Sequence, residues 1–459
     1  MAGIGFALRR LAREDSLNAR LRSQVHAVAV TSGPWLQTVL ALGLLEAFAG
    51  QALGRDAHRV FSTIVVYNFA FSLVFTAPVV LVVTRRLADM LFARDVEEAS
   101  GMLAGSLGVI FAALTPIGIA FYGYAVELAA PDRLLGFAGF LLLGGVWLVS
   151  AYLSALKSYG SITLGFGLGM GVGAVLALLL GHAHGTTGML AGFTTGLALL
   201  FYTLVARVLA EYRMPSLRPL AFLGAMLRYR SLALAGLLFG VAIWVDKWIM
   251  WFTPGRTLVA GAMATHPTYD SAMFLACLTM APAAAMFLVV VETRFFEAYL
   301  RYYRSIANHA TAQEIAHNHG ILVRTLTTGF RQVAVLQGVV CYLAILAAPG
   351  LIGMARGGAE LVPTFRFGVL GAACHTLLLF VVAVLSYFDL RRDMIAVALV
   401  FLLLNAGLTW ATVVLGVGYA GYGYFLAALL SLAFAYALAA RRVVQLPYLT
   451  FIANNRGLR

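Results

Sequence analysis

The feature that most constrains this chain is a series of long apolar segments that repeats almost from one end to the other. A helix that crosses the hydrocarbon core of a bilayer needs roughly 20 apolar residues. Twelve segments come close to that length, at 26–49, 60–83, 100–124, 134–156, 159–181, 187–209, 231–252, 269–292, 332–350, 367–387, 394–415 and 420–440. Membrane-spanning strands need only about 10 residues and alternate in polarity. The sequence therefore predicts an all-α integral membrane protein with about twelve transmembrane helices.

Charge supports this interpretation. Only 11% of the residues are charged, whereas a soluble domain has about 25%. The net charge of +13 does not predict nucleic-acid binding, because the basic residues are scattered over short connections. If the N-terminus is cytoplasmic, 25 of the 32 basic residues fall on the cytoplasmic side and six on the other side. Such a bias predicts that both termini are cytoplasmic.

The connections suggest a division into two sets of six spans. Because six is even, the two sets would have the same orientation, as in transporters built from parallel repeats. The predicted parts are an amphipathic cytoplasmic helix at 1–25, an N-lobe at 26–209, a cytoplasmic linker at 210–230, a C-lobe at 231–441 that includes an amphipathic segment at 293–331, and a cytoplasmic tail at 442–459.

The sequence lacks the signatures of an ATP-driven or metal-dependent enzyme. A phosphate-binding loop needs a Gly-Lys pair, and the chain's two lysines follow Leu156 and Asp246. There is no Asp-x-Asp pair to hold a nucleotide-sugar metal, and the histidines and cysteines lack ligand spacing. Gly165, Gly169 and Gly173 lie on one face of the fifth span, which predicts close helix packing. We expect no enzymatic activity, cofactor or metal.

The seventh span carries the strongest candidate for a functional site, because ionisable groups inside a span are costly. Trp244, Lys247, Trp248 and Trp251 follow helical spacing beside Asp246, so one face holds three indoles and an ammonium. Flat aromatic faces can pack against sugar rings, and the charged groups can hydrogen-bond hydroxyls. The alternative is an interfacial tryptophan belt in which Lys247 extends outward and pairs with Asp246.

Other polar residues lie near the ends of spans. We predict that Tyr269, Asp270 and Glu292 of the eighth span also bind substrate, although each could be a solvated end residue, as could Glu46. His375 lies deeper within its span, the tenth. Two interpretations apply to it, a hydrogen-bonded core histidine and a proton relay.

Several segments resemble the PelG family of Pel exopolysaccharide transporters, within the multidrug/oligosaccharidyl-lipid/polysaccharide (MOP) flippase superfamily. The resembling segments are MAGIGFALRRL (1–11), SGPW (32–35), WVDKW (244–248), YDSAMFLACLTMAPA (269–283), ETRFFEAYLRYY (292–303) and LPYLTF (446–451). One departure is Ala7, where the family is expected to carry an acidic residue.

The resemblance implies two six-helix lobes around a central cavity with alternating access. It implies export of an amino-sugar polysaccharide of the biofilm matrix across the bacterial inner membrane. It also implies partners, namely a cytoplasmic glycosyltransferase and membrane scaffold subunits that bind cyclic di-GMP, together with membrane lipid. The alternatives are a non-transporting scaffold of a synthase, a multidrug exporter of the same superfamily and a membrane glycosyltransferase.

Overall fold

A computed structural model describes residues 33–52, 55–93, 97–156, 158–212, 221–354, 358–416 and 420–453. The predicted helix at 1–25 lies outside these residues, as do residues 454–459 of the predicted tail. Within them, ten helices are long and apolar enough to cross a membrane. The prediction of an all-α membrane fold is therefore confirmed.

The chain divides into two compact units. The first, called the N-unit, is Gly33–Pro267, and the second, the C-unit, runs from Thr268. The N-unit contains α1 (Gly33–Ala52), α2 (Arg55–Ala93), α3 (Ala99–Gly118), which continues as a π-helix (Ile119–Ala125), α4 (Ala130–Ala155), α5 (Tyr159–Glu211), α6 (Ala221–Arg228), α7 (Arg230–Met250), β1 (Thr257–Ala260) and β2 (Met263–Thr265).

The described residues of the C-unit form helices joined by short turns, with no strand among them. Its helices are α8 (Pro267–Leu278), which begins at the unit boundary, α9 (Ala281–Val290), continued by a π-helix (Val291–Phe295), α10 (Phe296–Ala307), α11 (Ala312–Met354), α12 (Leu361–Tyr387), α13 (Arg391–Leu415), α14 (Tyr422–Val444) and the short α15 (Leu446–Tyr448), followed by a π-helix (Leu449–Ala453). Within it, α14 packs against both α12 and α13.

Helix α5 contains two of the predicted spans. It is broken at Gly185, whose φ of 58° is in the left-handed region that glycine tolerates. The chain turns back there, so the two halves of α5 pack together. A Cβ at Gly169 would lie 2.8 Å from the carbonyl oxygen of Gly196, and one at Gly173 would lie 3.2 Å from the Cα of Gly196. The predicted glycine face therefore serves close helix packing.

Helix α7 packs against α2, inside the N-unit. A Cβ at Gly236 would lie 2.8 Å from the carbonyl oxygen of Ala77, so glycine permits the close approach of the two backbones. The contacts thus group α7 with the helices that precede it, whereas the predicted division at 210–230 placed it in the C-lobe. The division of the chain into lobes stays a prediction.

The predicted eighth span is interrupted. Helix α8 ends at Leu278, a turn covers Thr279 and Met280, and α9 begins at Ala281. Pro282 stands at the start of α9, where its missing N–H breaks no helical hydrogen bond. The predicted amphipathic segment at 293–331 is helical over most of its length, in α10 and the start of α11.

Candidate functional site

The charged residues of α7 form a local ion pair. Lys247 Nζ lies 2.8 and 3.1 Å from the two carboxylate oxygens of Asp246, and it also donates to the carbonyl oxygen of Ile243 at 3.3 Å. The Asp246 side chain is fully buried, and that of Lys247 is 14% exposed. Burial of an unpaired charge is strongly unfavourable. Each charge of the pair therefore lowers the free-energy cost of burying the other.

Trp244 and Trp248 flank this pair in the sequence of α7. Lys247 Nζ is 5.7 Å from the centre of the Trp244 ring, within the range of a cation–π contact. The Nε1 atoms of Trp244 and Trp248 are buried and have no hydrogen-bond partner among the described residues. An indole N–H can only donate, and buried donors are nearly always paired. Two indole donors without a partner among the described residues therefore lie on the same helix as the ion pair.

Aromatic residues of α2 cover part of the tryptophan face. Trp248 stacks on Phe71 with 5.1 Å between ring centres, and Trp251 stacks on Tyr67 at 4.6 Å. Trp251 is only 3% exposed. The tryptophan face of α7 is thus a packed contact with a neighbouring helix at Trp251, while Trp244 and Trp248 remain partly exposed.

Tyr67 fixes this contact. Its hydroxyl donates to the carbonyl oxygen of Ala264 at 2.7 Å and accepts from the amide of the same residue at 2.9 Å. Ala264 lies in β2, so the hydroxyl ties the hairpin to α2. Phe121 stacks on Tyr67 as well, at 5.6 Å. The ring that supports Trp251 is therefore held both by the hairpin and by Phe121.

The next residue of α2, Asn68, forms a second buried polar group. Its Nδ2 donates to the carbonyl oxygen of Gly136 at 2.9 Å, and its Oδ1 accepts from the Tyr122 hydroxyl at 2.6 Å. Asn68 and Tyr122 are both almost fully buried. The nitrogen and the oxygen of the Asn68 amide are thus both hydrogen-bonded within the protein. These bonds join α2, α4 and the π-helix after α3, so we do not assign Asn68 to ligand binding.

Sequence reasoning missed the residues of α2. Tyr67, Phe71 and Phe75 are four residues apart, so they lie on one helical face. Phe71 and Phe75 also contact one another at 6.3 Å. That spacing was a usable signal of an aromatic face, although it did not indicate which helix the face meets.

Two of the other predicted site residues belong to the C-unit. Tyr269, 1% exposed, and Asp270, half-buried, open α8 in the C-unit. Glu292 lies in the π-helix after α9, and Glu46 lies in α1, but the side chains of both are outside the described parts of the structure. The structure thus groups Trp244, Asp246, Lys247, Trp248 and Trp251.

His375 has the surroundings of a core histidine. Its Nδ1 lies 2.9 Å from the Tyr424 hydroxyl, and its ring contacts Phe401 at 5.2 Å. It therefore links α12, α13 and α14 in the C-unit. This geometry favours the core interpretation over the proton relay.

Comparison with known proteins identifies what the chain resembles. The sequence matches a model of the PelG family, described as an exopolysaccharide exporter (EPS-E), over residues 1–451. No curated protein sequence matches the chain.

Solved structures share the fold at low sequence identity. An outward-facing multidrug resistance MATE family transporter of the MOP superfamily has a TM-score of 0.65 at 15% identity, over 93% of this chain and 96% of that one. The inward-facing conformation of such a transporter has a TM-score of 0.62 at 15% identity, over 92% and 99%. A MOP superfamily transporter from Pyrococcus furiosus has a TM-score of 0.64 at 14% identity, over 97% of both chains. The fold is therefore that of the MOP transporters.

Proposed function

Because the chain belongs to the PelG family of exopolysaccharide exporters, a family of membrane transporters, we propose that it moves a nascent amino-sugar polysaccharide of the Pel type across the bacterial inner membrane. The proposed direction is from cytoplasm to periplasm, and the proposed role is supply of the biofilm matrix. The family match over nearly the whole chain supports the polysaccharide substrate, and the MOP fold supports transport.

The observation that carries this proposal is the pair of open indole donors on α7. Trp244 and Trp248 present buried N–H groups without partners among the described residues, next to a lysine and a carboxylate. A polysaccharide offers many hydroxyl, ring and acetyl oxygens that can accept from them. The partly exposed ring faces of the same residues can pack on the C–H faces of sugar rings.

The other residues have distinct proposed roles. Asp246 and Lys247 would exchange part of their mutual pairing for hydrogen bonds to sugar hydroxyls. Trp251, which is buried against Tyr67, would position the α7 face. Tyr269, Asp270 and Glu292 are proposed as further substrate contacts.

The proposal includes partners. An exporter of a nascent polymer must receive it from a polymerising enzyme, and the family resemblance names a cytoplasmic glycosyltransferase and membrane scaffold subunits that bind cyclic di-GMP. We place both termini in the cytoplasm, on the charge bias alone.

The test is removal of single indole donors. Trp244→Phe and Trp248→Phe each keep an aromatic ring but delete the N–H, and export of the polysaccharide should fall several-fold in cells at matched protein levels. Trp410→Phe is the matched control, because it deletes an indole N–H from a side chain that is 61% exposed on α13, and it should leave export at matched protein levels unchanged. Normal export in both donor variants would contradict the site.

A multidrug exporter is the second candidate, because the similar solved structures include multidrug transporters. Increased drug sensitivity of a deletion strain, with normal polysaccharide export, would favour it. Loss of polysaccharide synthesis itself, with no sensitivity to substitutions in α7, would favour a scaffold for a synthase.

A further inference from the structure

A basic pocket lies in the C-unit at the end of α9. Its volume is about 320 Å³. It is lined by residues of the α9–α10 region and of α11, namely Val290, Arg294, Glu297, Ala298, Arg301, Ile321, Arg324, Thr325, Thr328, Gly329 and Gln332. We call it the arginine pocket. Charge bias predicts that this end of the helices faces the cytoplasm.

The arginine pocket has an excess of positive charge. It contains Arg294, Arg301 and Arg324 but only one acidic residue, Glu297. None of the three arginines makes an ion pair with another described residue. Arginine has a planar fork of donors that matches phosphate oxygens and binds them in a bidentate way. Three such groups from two helical segments suit one phosphate-bearing ligand.

A second pocket, in the N-unit, is a useful contrast. It is about 280 Å³ in volume and is lined by Arg86, Glu98, Arg228 and Tyr229, among others. There Arg86 lies 3.3 Å from Glu98 and the Tyr229 hydroxyl donates to Asp89 at 2.6 Å. Burial and the bond to Asp89 raise the pKa of Tyr229. The charges of Arg86 and Glu98 neutralise one another within the protein, whereas the three arginines of the C-unit pocket make no ion pair with another described residue.

An apolar stripe leads away from the arginine pocket along α11. Val335, Val339, Tyr342 and Leu346 follow Gln332 at intervals of three or four residues, so they lie on one helical face. They are 52–64% exposed. A ligand with a phosphate in the pocket could therefore place an acyl chain along this stripe.

We propose that the arginine pocket binds the headgroup phosphate of an anionic phospholipid, with an acyl chain along the exposed face of α11. Basic pockets between helices on the cytoplasmic side are sites where such headgroups bind. This lipid site is separate from the proposed sugar site on α7, and its test does not depend on transport.

The experiment measures lipid binding to the purified full-length chain by native mass spectrometry, with phosphatidylglycerol and phosphatidylcholine as probes. The natural chain should prefer phosphatidylglycerol. The triple variant Arg294→Gln, Arg301→Gln and Arg324→Gln should weaken phosphatidylglycerol binding at least about tenfold, since each basic group near an anionic headgroup is favourable. Each single variant should weaken it in part, which keeps the test valid if the triple variant does not fold.

The matched control removes the same charge elsewhere. Arg304, Arg331 and Arg441 are exposed and do not line the pocket, so their triple replacement by Gln should leave binding nearly unchanged. Equal losses in the two triple variants, or no loss in either, would overturn the site.

The apolar stripe has its own test. Val339→Asn should weaken phosphatidylglycerol binding with all three arginines present. If glycerol phosphate without acyl chains binds as well as the lipid does, the pocket is a site for free phosphate and the lipid proposal is wrong.

Discussion

Two ion pairs involving buried aspartates differ in what they connect. Asp246 and Lys247 are neighbours on α7, and their pair begins and ends on that helix. Asp393 near the start of α13 pairs instead with Arg442 near the end of α14, with Nε–Oδ2 and Nη2–Oδ1 distances of 2.7 and 3.0 Å. The first pair is almost completely buried, while the Arg442 side chain is 34% exposed.

The difference indicates separate roles. The bidentate contact between Arg442 and Asp393 holds the ends of two helices together. This pair therefore stabilises the fold. The ion pair on α7 is formed by two adjacent residues of the same helix. Replacing a buried ion pair by apolar groups is often neutral or stabilising, so fold stability alone does not explain why α7 carries these charges. Their position beside the open indole donors is consistent with contact to a polar substrate.

The largest effect should come from breaking the α7 pair on one side. Lys247→Met removes the ammonium that pairs with the fully buried carboxylate of Asp246, which should destabilise the fold by about 3–5 kcal/mol. Thermal unfolding of the purified protein in detergent measures this. The expected result is a large drop in the unfolding temperature and in the yield of folded protein.

The double variant Asp246→Asn, Lys247→Met separates stability from function. It removes both charges, so most of the lost stability should return while polysaccharide export stays low. Normal export at restored stability would mean that the charges serve the fold alone, and our assignment of the pair to substrate binding would be wrong.

The sequence predicts the spans and the residues that share a helix face, but not the helices that pack against that face. Apolar segments of about 20 residues predict spans because the bilayer sets their length, and helical spacing placed Trp244, Lys247, Trp248 and Trp251 on one face. The partners on that face, Tyr67 and Phe71, lie more than 170 residues earlier in the chain. Spacing shows that an aromatic face exists, but only tertiary packing decides which face it meets.

The same limit applies to the grouping of helices. The connection at 210–230 was predicted to divide the chain because it contains two prolines and separates two sets of six spans. The approach of α7 to α2, however, depends on small residues such as Gly236 on one helix and Ala77 on the other. Small residues allow such packing at many places in a membrane protein, so their presence alone did not identify this contact.

A smaller loss should follow from weakening the pair between α13 and α14. Asp393→Asn removes a charge but keeps an acceptor, and Arg442 can still reach solvent. The fold should lose about 1.5–3 kcal/mol, the usual contribution of hydrogen bonds to charged groups, measured by thermal unfolding. Export per folded molecule should not change.

The control for this prediction is the neighbouring Arg441→Gln, at an exposed position, which should shift stability by no more than about 0.5 kcal/mol. A selective loss of export in Asp393→Asn would remove the contrast between the two pairs.

The smallest effect should come from a pair with neither deep burial nor two-bond geometry. Arg86 and Glu98 approach to 3.3 Å, but their side chains are 33% and 43% exposed. Water and salt screen such a pair, so Glu98→Gln should cost less than about 1 kcal/mol. The cost should shrink further at high salt, whereas that of Lys247→Met should not, because Asp246 is inaccessible to solvent. Unfolding temperatures of both variants at low and high salt test this order, and a salt-independent loss in Glu98→Gln equal to that in Lys247→Met would contradict it.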